Sequence, residues 1–274
     1  MCLEQAEYGE KQRFIRILPN FYISIEQLLN MKGEGHTALF SNRDGIIAIE
    51  GPVKLQIMEL LKDSSRSFDE IVKYTGKAKS TISVHLSDLK QNNLLEERID
   101  PKDKRKKTYV MCSQYAACSQ KPIVEHYHAA LKKFTTTFDS ERELLTSILH
   151  AVQSGFEAQG INHRPIMETI GQDVGIRVAE NFTCTHLEGL FEEVADYWET
   201  HKLGYLSVPS YDPLAIQIDD CFVCKGAPDI GQKLCSFSEG LLQGIIYQKL
   251  NMQCNLVEIE CHGNGDDHCL FVMQ

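Results

Sequence analysis

The stretch KSTISVHLSDLKQNNLLEERIDPKDKRKKTYV, residues 79–110, decides how the rest of the chain is read. Its first part places Ile82, Leu86 and Leu89 on one stripe of a helix that begins near Ser80. On a wheel of about 100° per residue, Ser80, Thr81, Val84, Ser87 and Asp88 fall on the opposite face, with Ser83 and His85 on its edges. Leu94 to Ile99 then reads as a strand, Asp100-Pro101 as a turn and Thr108 to Met111 as a returning strand. The tip between the strands gathers Lys102, Lys104, Arg105, Lys106 and Lys107. A helix that presents small hydroxyls, followed at once by a hairpin with a basic tip, is the element order of a winged helix-turn-helix.

The residues upstream complete that plan. Pro52 opens a helix carrying Val53, Ile57, Leu60 and Leu61 at helical spacing. Ser67-Phe-Asp-Glu70 reads as a capping box before Phe68, Ile71 and Val72, and Gly76 ends this second helix in a short turn. In two short helices joined by such a turn, the second enters the major groove of DNA. Small hydroxyl side chains there bond phosphates or base edges without blocking the groove. Lys77, Lys79 and Lys90 flank the face, and the cations of the tip would neutralise phosphates and supply salt-dependent affinity. The expected DNA contacts are therefore Lys77, Lys79, Ser80, Thr81, Ser83, Val84, His85, Ser87, Lys90, Lys102, Lys104, Arg105, Lys106 and Lys107.

Net charge conceals this. The 274 residues sum to −10, which taken as an average speaks against nucleic acid. Residues 41–110 carry 14 basic and 11 acidic side chains, whereas residues 111–274 carry 10 and 22. Such asymmetry is expected of a basic nucleic-acid-binding part joined to an acidic one. No apolar run approaches the roughly 20 residues needed to span a bilayer, and the first residues, MCLEQAEYGEKQR, lack the apolar core of an export signal. A cytoplasmic protein with no membrane partner is expected. In a reducing compartment its ten cysteines suggest metal ligation or redox chemistry rather than a disulfide framework.

Residues 79–110 also resemble the recognition helix and wing of the ArsR-type winged-helix repressors, whose Ser-x-x-Ser-x-His-Leu pattern is matched by Ser80, Ser83, His85 and Leu86. Lys79 departs from the Gln often found before that pattern. The family's metal-sensing cysteine pair is missing, since residues 41–110 contain no cysteine. The resemblance implies a homodimer on a double-stranded operator with two half-sites, and sensing carried out elsewhere in the chain.

Beyond the wing, Ile123, Tyr127, Ala130, Leu131 and Phe134 recur at helical spacing, and Leu144, Leu145, Ile148, Val152 and Phe156 form a second amphipathic run. These helices suit either a core or a dimer seam. Helical patterns continue from Ile166 to Phe182 and from Leu187 to His201. Strand-like sequence follows Gly204, then Cys221-Phe-Val-Cys224, a helix from Ser236 to Leu250 with Gly240 and Gly244 on it, a β-rich run from Cys254 to Cys261, and a last strand from Leu270.

In this acidic part Cys235, Glu258, Cys261 and Cys269 offer three thiolates and a carboxylate, the ligand number of a closed tetrahedral zinc site. Buried or reactive thiols are the alternative. In a regular strand Glu258 and Cys261 would point to opposite faces, so a shared site requires the strand to bulge or end near Glu260. Cys221 and Cys224, spaced for a disulfide or a metal hook, are candidate redox thiols, with Cys184, Cys254, Cys112 and Cys118 as further candidates. Asp219 and Asp220 are expected to raise the Cys221 pKa, partly opposed by Lys225.

LCSFSEGLLQGIIYQKL (234–250) and LVEIECHGNGDDHCLFVM (256–273) are similar to the end of the 4-vinyl reductase domain. That domain occurs in sensors of aromatic compounds and in tetrapyrrole-pathway proteins. The resemblance implies one zinc ion on Cys235, Glu258, Cys261 and Cys269. The combination of the two parts, together with LFSNRDGIIAIEGPVK (39–54), resembles the methanogen-specific transcriptional regulators of archaea that carry this domain. It implies redox-responsive control of transcription, often repression.

The expected fold is α+β. Its divisions are an N-terminal arm (1–40), a winged helix-turn-helix (41–111), a connecting or dimerising helix (112–139) and a 4-vinyl reductase-type sensor of helices and strands (140–274). The leading functional expectation is a redox-responsive, non-enzymatic regulator. One alternative is a regulator that holds a small apolar or aromatic ligand among Trp198, Tyr197, Tyr205 and Phe237. A tetrapyrrole-pathway enzyme is the remaining one, and the sequence shows no nucleotide-binding loop and no paired acid and base to support it.

Overall fold

The computed structural model describes residues 37–62, 64–99, 106–227 and 229–274. Most of the expected N-terminal arm, and with it Lys102, Lys104 and Arg105 of the wing tip, lies outside the described residues. The fold is α+β. The chain divides into two compact units, one ending at Tyr115 and the other running from Ala116 to Gln274.

In the first unit β1 (Ala38–Asn42) and β2 (Gly45–Ile49) form an antiparallel hairpin. Asn42 Oδ1 closes its turn by accepting from the backbone N–H groups of Asp44 and Gly45. Three helices follow: α1 (Pro52–Leu61), α2 (Phe68–Thr75) and α3 (Lys79–Gln91). Ser67 caps α2 as expected: its hydroxyl accepts from the Glu70 N–H, and the Glu70 carboxylate accepts from the Ser67 N–H at 2.7 Å. Gly76 ends α2 at φ 64°, a left-handed position where glycine carries no Cβ penalty. Leu55, Ile57, Met58 and Leu61 of α1, Ile71 of α2, and Ile82, Leu86 and Leu89 of α3 are all buried. Behind them β3 (Arg66–Ser67), β5 (Lys107–Met111) and β4 (Leu95–Ile99) form an antiparallel sheet with β5 in the middle. This is the winged arrangement expected from the sequence, and β4 and β5 are its hairpin.

β6 (Gln114–Ser119) carries the chain across the boundary, and its second half pairs with β7 (Ile161–Asn162). The second unit contains α4 (Val124–Lys132), α5 (Glu141–Ala158), α6 (Arg164–Val178) and α7 (Leu187–Thr200). Next come β8 (Tyr205–Tyr211), β9 (Leu214–Asp219), α8 (Ser236–Leu250), β10 (Leu256–Glu260) and β11 (Cys269–Met273). The four strands make one antiparallel sheet in the order β10-β11-β9-β8. Its core holds Trp198, Leu190, Ile216, Leu242, Ile246 and Phe271. No helix among the described residues is long and apolar enough to cross a membrane.

α6 and α8 touch backbone to backbone. Gly171 and Gly175 on α6 meet Gly240 and Gly244 on α8, so that a Cβ at Gly240 would stand 1.9 Å from the Glu168 carbonyl and one at Gly175 2.1 Å from that of Leu241. Gly240 and Gly244, visible in the sequence on α8, admit the close neighbour, and Gly171 and Gly175 are their complement. At this separation buried polar side chains reach across. Gln172 donates to Gln243 (2.7 Å), and Gln243 donates to Glu168 (3.2 Å) and to the Leu256 carbonyl of β10 (3.1 Å). Glu239 of α8 accepts the Glu258 backbone N–H at 2.7 Å.

α5 and α6 reverse the usual arrangement of an amphipathic helix. α5 buries Ser147, His150, Gln153, Ser154 and Glu157 and exposes Leu144, Leu145, Ile148, Val152 and Phe156. α6 buries Glu168 and Gln172 beside its glycines and exposes Ile166, Ile170 and Val174. Soluble folds ordinarily bury the apolar stripe.

Replacing Gly240 with Ala forces α6 and α8 apart, because the obstacle is rigid backbone. Overpacking of this kind costs about 1–3 kcal/mol, and the broken Gln172–Gln243–Glu168 chain adds to it. Gly240→Ala should lower the midpoint of the second unit's unfolding, followed by circular dichroism in urea, whereas Gly231→Ala in the open loop should lower it less.

Candidate functional site

On α3 the side chains of Ser80, Thr81, Ser83, Val84 and Ser87 are exposed, Val84 by 66%, and His85 is half-buried at the edge. The row foreseen for DNA therefore faces solvent. Asp88 is tied back instead: its carboxylate pairs with Lys54 of α1 and accepts from Asn92. Of the cations, Lys79 pairs with Asp69 at 2.9 Å, while Lys107 and Lys90 both pair with Glu97 at 2.8 Å. Those two lysines hold the Glu97 carboxyl below the usual carboxylate range. Lys77 and Lys106 are exposed and make no ion pair among the described residues. Surface ion pairs of this sort contribute little, so the paired lysines can exchange a carboxylate for a phosphate.

The second unit assembles a denser site. Cys235 is the N-cap of α8, Glu258 lies on β10, Cys261 follows β10, and Cys269 opens β11. The register between β10 and β11 shifts between Glu258 and Glu260, after which β10 ends. This is the irregularity that a common site for Glu258 and Cys261 required. Gly263 keeps the returning turn tight, since a Cβ there would meet the Gln232 carbonyl at 2.5 Å.

Two further thiols join this set. Cys221 and Cys224, on the turn after β9, are buried with the others: all five cysteines and Glu258 are 0% exposed. The Cys235 sulfur lies 3.7 Å from that of Cys221, 3.9 Å from Cys261 and 3.7 Å from Cys269, and the Cys224 and Cys269 sulfurs are 3.1 Å apart. The Leu234 N–H points at the Cys261 sulfur, and the Cys235 N–H donates to Glu258 Oε2 at 3.1 Å. Glu258 Oε1 is buried and has no partner among the described residues. Burial pushes the Glu258 carboxyl and the Cys235 thiol up. Neighbouring thiols, Cys224 first, donate to Cys221 and Cys261 and pull both down. Pairing with Cys221 in turn raises Cys224 and Cys269. The expected rise at Cys221 is therefore reversed by the neighbouring thiols, and the Asp220 carboxylate is held by Arg142 and Lys225.

α5 holds the turn that carries Cys221 and Cys224. Arg142 bonds the Asp220 carboxylate and carbonyl, Thr146 Oγ1 donates to the Phe222 carbonyl at 2.9 Å, and His150 Nε2 donates to the Val223 carbonyl at 2.5 Å. These residues recur every four positions, so one face of the helix reads three positions of the turn. Burial lowers the His150 pKa. A carbonyl can only accept, so Nε2 carries the proton and Nδ1 is left without a partner among the described residues. Lys133 adds a bond to the Gly226 carbonyl.

The other redox candidates lie outside the cluster. In the first unit Cys112 donates to the Asn93 carbonyl at 3.4 Å, and burial raises its pKa. Cys118 is buried on β6. Burial also raises the half-buried Cys184, next to Glu193, and pushes the Cys254 thiol up to about 12. His262 Nδ1 bonds the Asp266 carbonyl, His268 pairs with Asp267 and Glu260, and neither imidazole belongs to the donor sets formed by the thiols among the described residues. Of the four aromatics expected to line a pocket, Trp198, Tyr197 and Phe237 belong to one apolar core, whereas Tyr205 does not join them. Trp198 is fully buried, Phe237 packs edge-on against Phe222, and Tyr205 is exposed on β8.

Two family models match parts of the chain. The family described as "Bacterial regulatory protein, arsR family" matches residues 51–97, from the start of α1 into β4. The family of the 4-vinyl reductase domain matches residues 214–274, which contain all six donors of the cluster. The uncharacterized protein MJ0150 of Methanocaldococcus jannaschii is 32% identical over 130 residues, 47% of this chain and 74% of that protein. The chain belongs to the same family as MJ0150, with an ArsR-family match in its head and a 4-vinyl reductase-domain match in its second unit. MJ1642 of the same organism is 38% identical over 81 residues, 30% of this chain and 50% of its own length. Among solved structures, a vinyl-4-reductase family protein from M. jannaschii aligns with a TM-score of 0.34 and 14% identity, over 55% of this chain and 90% of that one. The phenol-responsive sensory domain of the transcription activator PoxR, with phenol, aligns with a TM-score of 0.35 and 18% identity, over 71% and 90%.

Removing the strap on the Cys221–Cys224 turn should expose its thiols. A hydrogen bond to a charged group contributes about 1.5–3 kcal/mol, so Arg142→Ala should speed the reaction of Cys221 and Cys224 with a thiol reagent by about tenfold or more. Peptide mapping of the labelled protein reads this directly, with the rate at Cys254 as the unaffected reference.

Proposed function

We propose that the chain is a homodimeric, DNA-binding transcription regulator in which the thiol cluster of the 4-vinyl reductase-type unit senses redox state. The observation that carries this reading is the burial of five thiols in mutual contact, with two of them on a turn that one helix grips at three positions. The ArsR-family head would bind a double-stranded operator. Ser80, Thr81, Ser83, Val84 and Ser87 would enter the groove with His85 at its edge. Lys77, Lys79, Lys90 and the wing residues Lys102, Lys104, Arg105, Lys106 and Lys107 would contact phosphates. Repression is the mode that such binding over a promoter supports.

Zinc fits the donors Cys235, Glu258, Cys261 and Cys269, whose ligand atoms lie within 4.8 Å of one another. An unpartnered carboxylate oxygen buried among thiols is costly unless it ligates a cation. A bound zinc ion would supply cross-linking and hold its thiolates deprotonated. This chain's own residues would do the switching. Cys224 and Cys269 have the shortest sulfur separation, 3.1 Å. Oxidation by a peroxide would join the Cys224 thiol and the Cys269 thiolate in a disulfide: their two electrons pass to the peroxide, which with the Cys224 proton leaves as water and hydroxide, and Cys269 would no longer serve as a ligand. The turn would move, and the bonds from Thr146 and His150 would carry that movement into α5.

A second copy is the occupant that suits the outer faces of α5 and α6. Ile148 and Val152 line, with Tyr127, Leu131 and Phe134, an apolar groove of about 410 Å³. A contiguous apolar surface of this kind marks an interface, and two recognition helices are needed for two half-sites. A ligand-sensing alternative has one observation in its favour. The indole N–H of Trp198 is buried without a partner among the described residues, so a small apolar molecule with one acceptor would satisfy it.

Two measurements test the reading. A gel shift of the full chain on its own promoter should show binding with dithiothreitol and a loss of about tenfold or more in affinity after peroxide, the least that a switching free energy of about 1.4 kcal/mol would give. Cys224→Ser should bind equally in both conditions. Equal binding of the unaltered protein before and after oxidation would sink the redox mechanism. In sedimentation equilibrium the unaltered chain should run as a dimer, and Val152→Glu should shift it to a monomer because it buries a charge in the seam.

A further inference from the structure

We propose that the thiol cluster is a dinuclear metal centre, with two zinc ions sharing the sulfurs of Cys235 and Cys269. This rests on the metal reading above and extends it to a second ion.

The donors fall into two tetrads. One is Cys235, Glu258, Cys261 and Cys269; the other is Cys221, Cys224, Cys235 and Cys269. In each, the ligand atoms lie within 4.8 Å of one another. A tetrahedron with zinc–sulfur bonds of about 2.3 Å has sulfur–sulfur edges of about 3.8 Å. The separations of Cys235 from Cys221, Cys261 and Cys269 are 3.7, 3.9 and 3.7 Å, matching such edges on both sides of Cys235, while the Cys224–Cys269 edge is shorter at 3.1 Å. The two tetrads share one edge, Cys235–Cys269. A thiolate has lone pairs enough to bind two cations, so each bridging sulfur serves both. Glu258 and Cys261 then complete the first ion, and Cys221 and Cys224 complete the second. Each ion is four-coordinate and each of the six donors is used. A single ion on either tetrad would leave two of these buried donors idle against its ligands.

The surroundings support the second position. Cys221-x-x-Cys224 has the spacing at which two ligands of one turn reach one zinc. The backbone of that turn is held by Thr146, His150 and Arg142, the kind of outer partners that orient metal ligands. Arg142 and Lys225, paired through Asp220, bring positive charge beside a cluster of six potential anions.

Zinc content of the full-length chain, purified with reductant, loaded with excess zinc and desalted, decides between one ion and two. The expected result is about two zinc ions per chain, falling to about one in Cys221→Ser/Cys224→Ser and to about one in Glu258→Gln/Cys261→Ser. Circular dichroism confirms that each variant is folded. Cobalt loading gives a second readout: a bridged pair quenches part of the electron paramagnetic signal per ion, and either double variant should restore it. One zinc in the unaltered chain, unchanged in Cys221→Ser/Cys224→Ser, would overturn the dinuclear centre and leave the single site standing. No zinc in any form would overturn both.

Discussion

The contact between α6 and α8 through four glycines is the constraint on which the sensor unit depends. With no Cβ at Gly171, Gly175, Gly240 or Gly244 the two backbones come within reach of each other. Only at that distance can Gln172, Gln243 and Glu168 form a buried chain, which Gln243 extends to β10 through the Leu256 carbonyl. Glu239, one residue before Gly240, takes the Glu258 N–H and so sets the strand that bears a candidate ligand. Helix packing is in this way linked by hydrogen bonds to the position of a carboxylate among the thiols.

α5 follows a different logic. A helix that buries Ser, His and Gln and exposes Leu, Ile, Val and Phe is stable in water only if its polar side chains find partners and its apolar face is covered. The inner partners are visible: the carbonyls of the Cys221–Cys224 turn and of Leu234. One helix thus joins the thiols to an exposed apolar surface, the one proposed above to seat a second copy. Movement at one would be felt at the other because α5 is a rigid rod of 18 residues.

The head is built more conventionally. A capping box, a glycine C-cap and an apolar stripe on each helix form a small core, and the outer face of α3 is left to hydroxyls. Much of its positive charge is held by neighbouring acids, Lys107 and Lys90 on Glu97 and Lys79 on Asp69. Such pairs keep the surface soluble and remain exchangeable for phosphate.

What the sequence determined was whatever depends on local periodicity. Ser67 and Glu70 cap α2, Gly76 ends it, α8 runs from Ser236 to Leu250, and the wing strands lie where alternation and the basic tip place them, all from interactions only a few residues apart. Even the irregularity near Glu260 followed from strand geometry, once Glu258 and Cys261 were taken to share a site. What the sequence left open was any feature made by residues far apart in the chain. It separated Cys221 and Cys224 from the zinc candidates, but the β9 turn and the N-terminus of α8 bring all the thiols into one cluster. It left the stripe of α5 undecided between core and seam, because amphipathicity says that two faces differ and not which is buried. That decision belongs to the tertiary structure, where carbonyls of the cysteine turn claim the polar face and leave the apolar one outside.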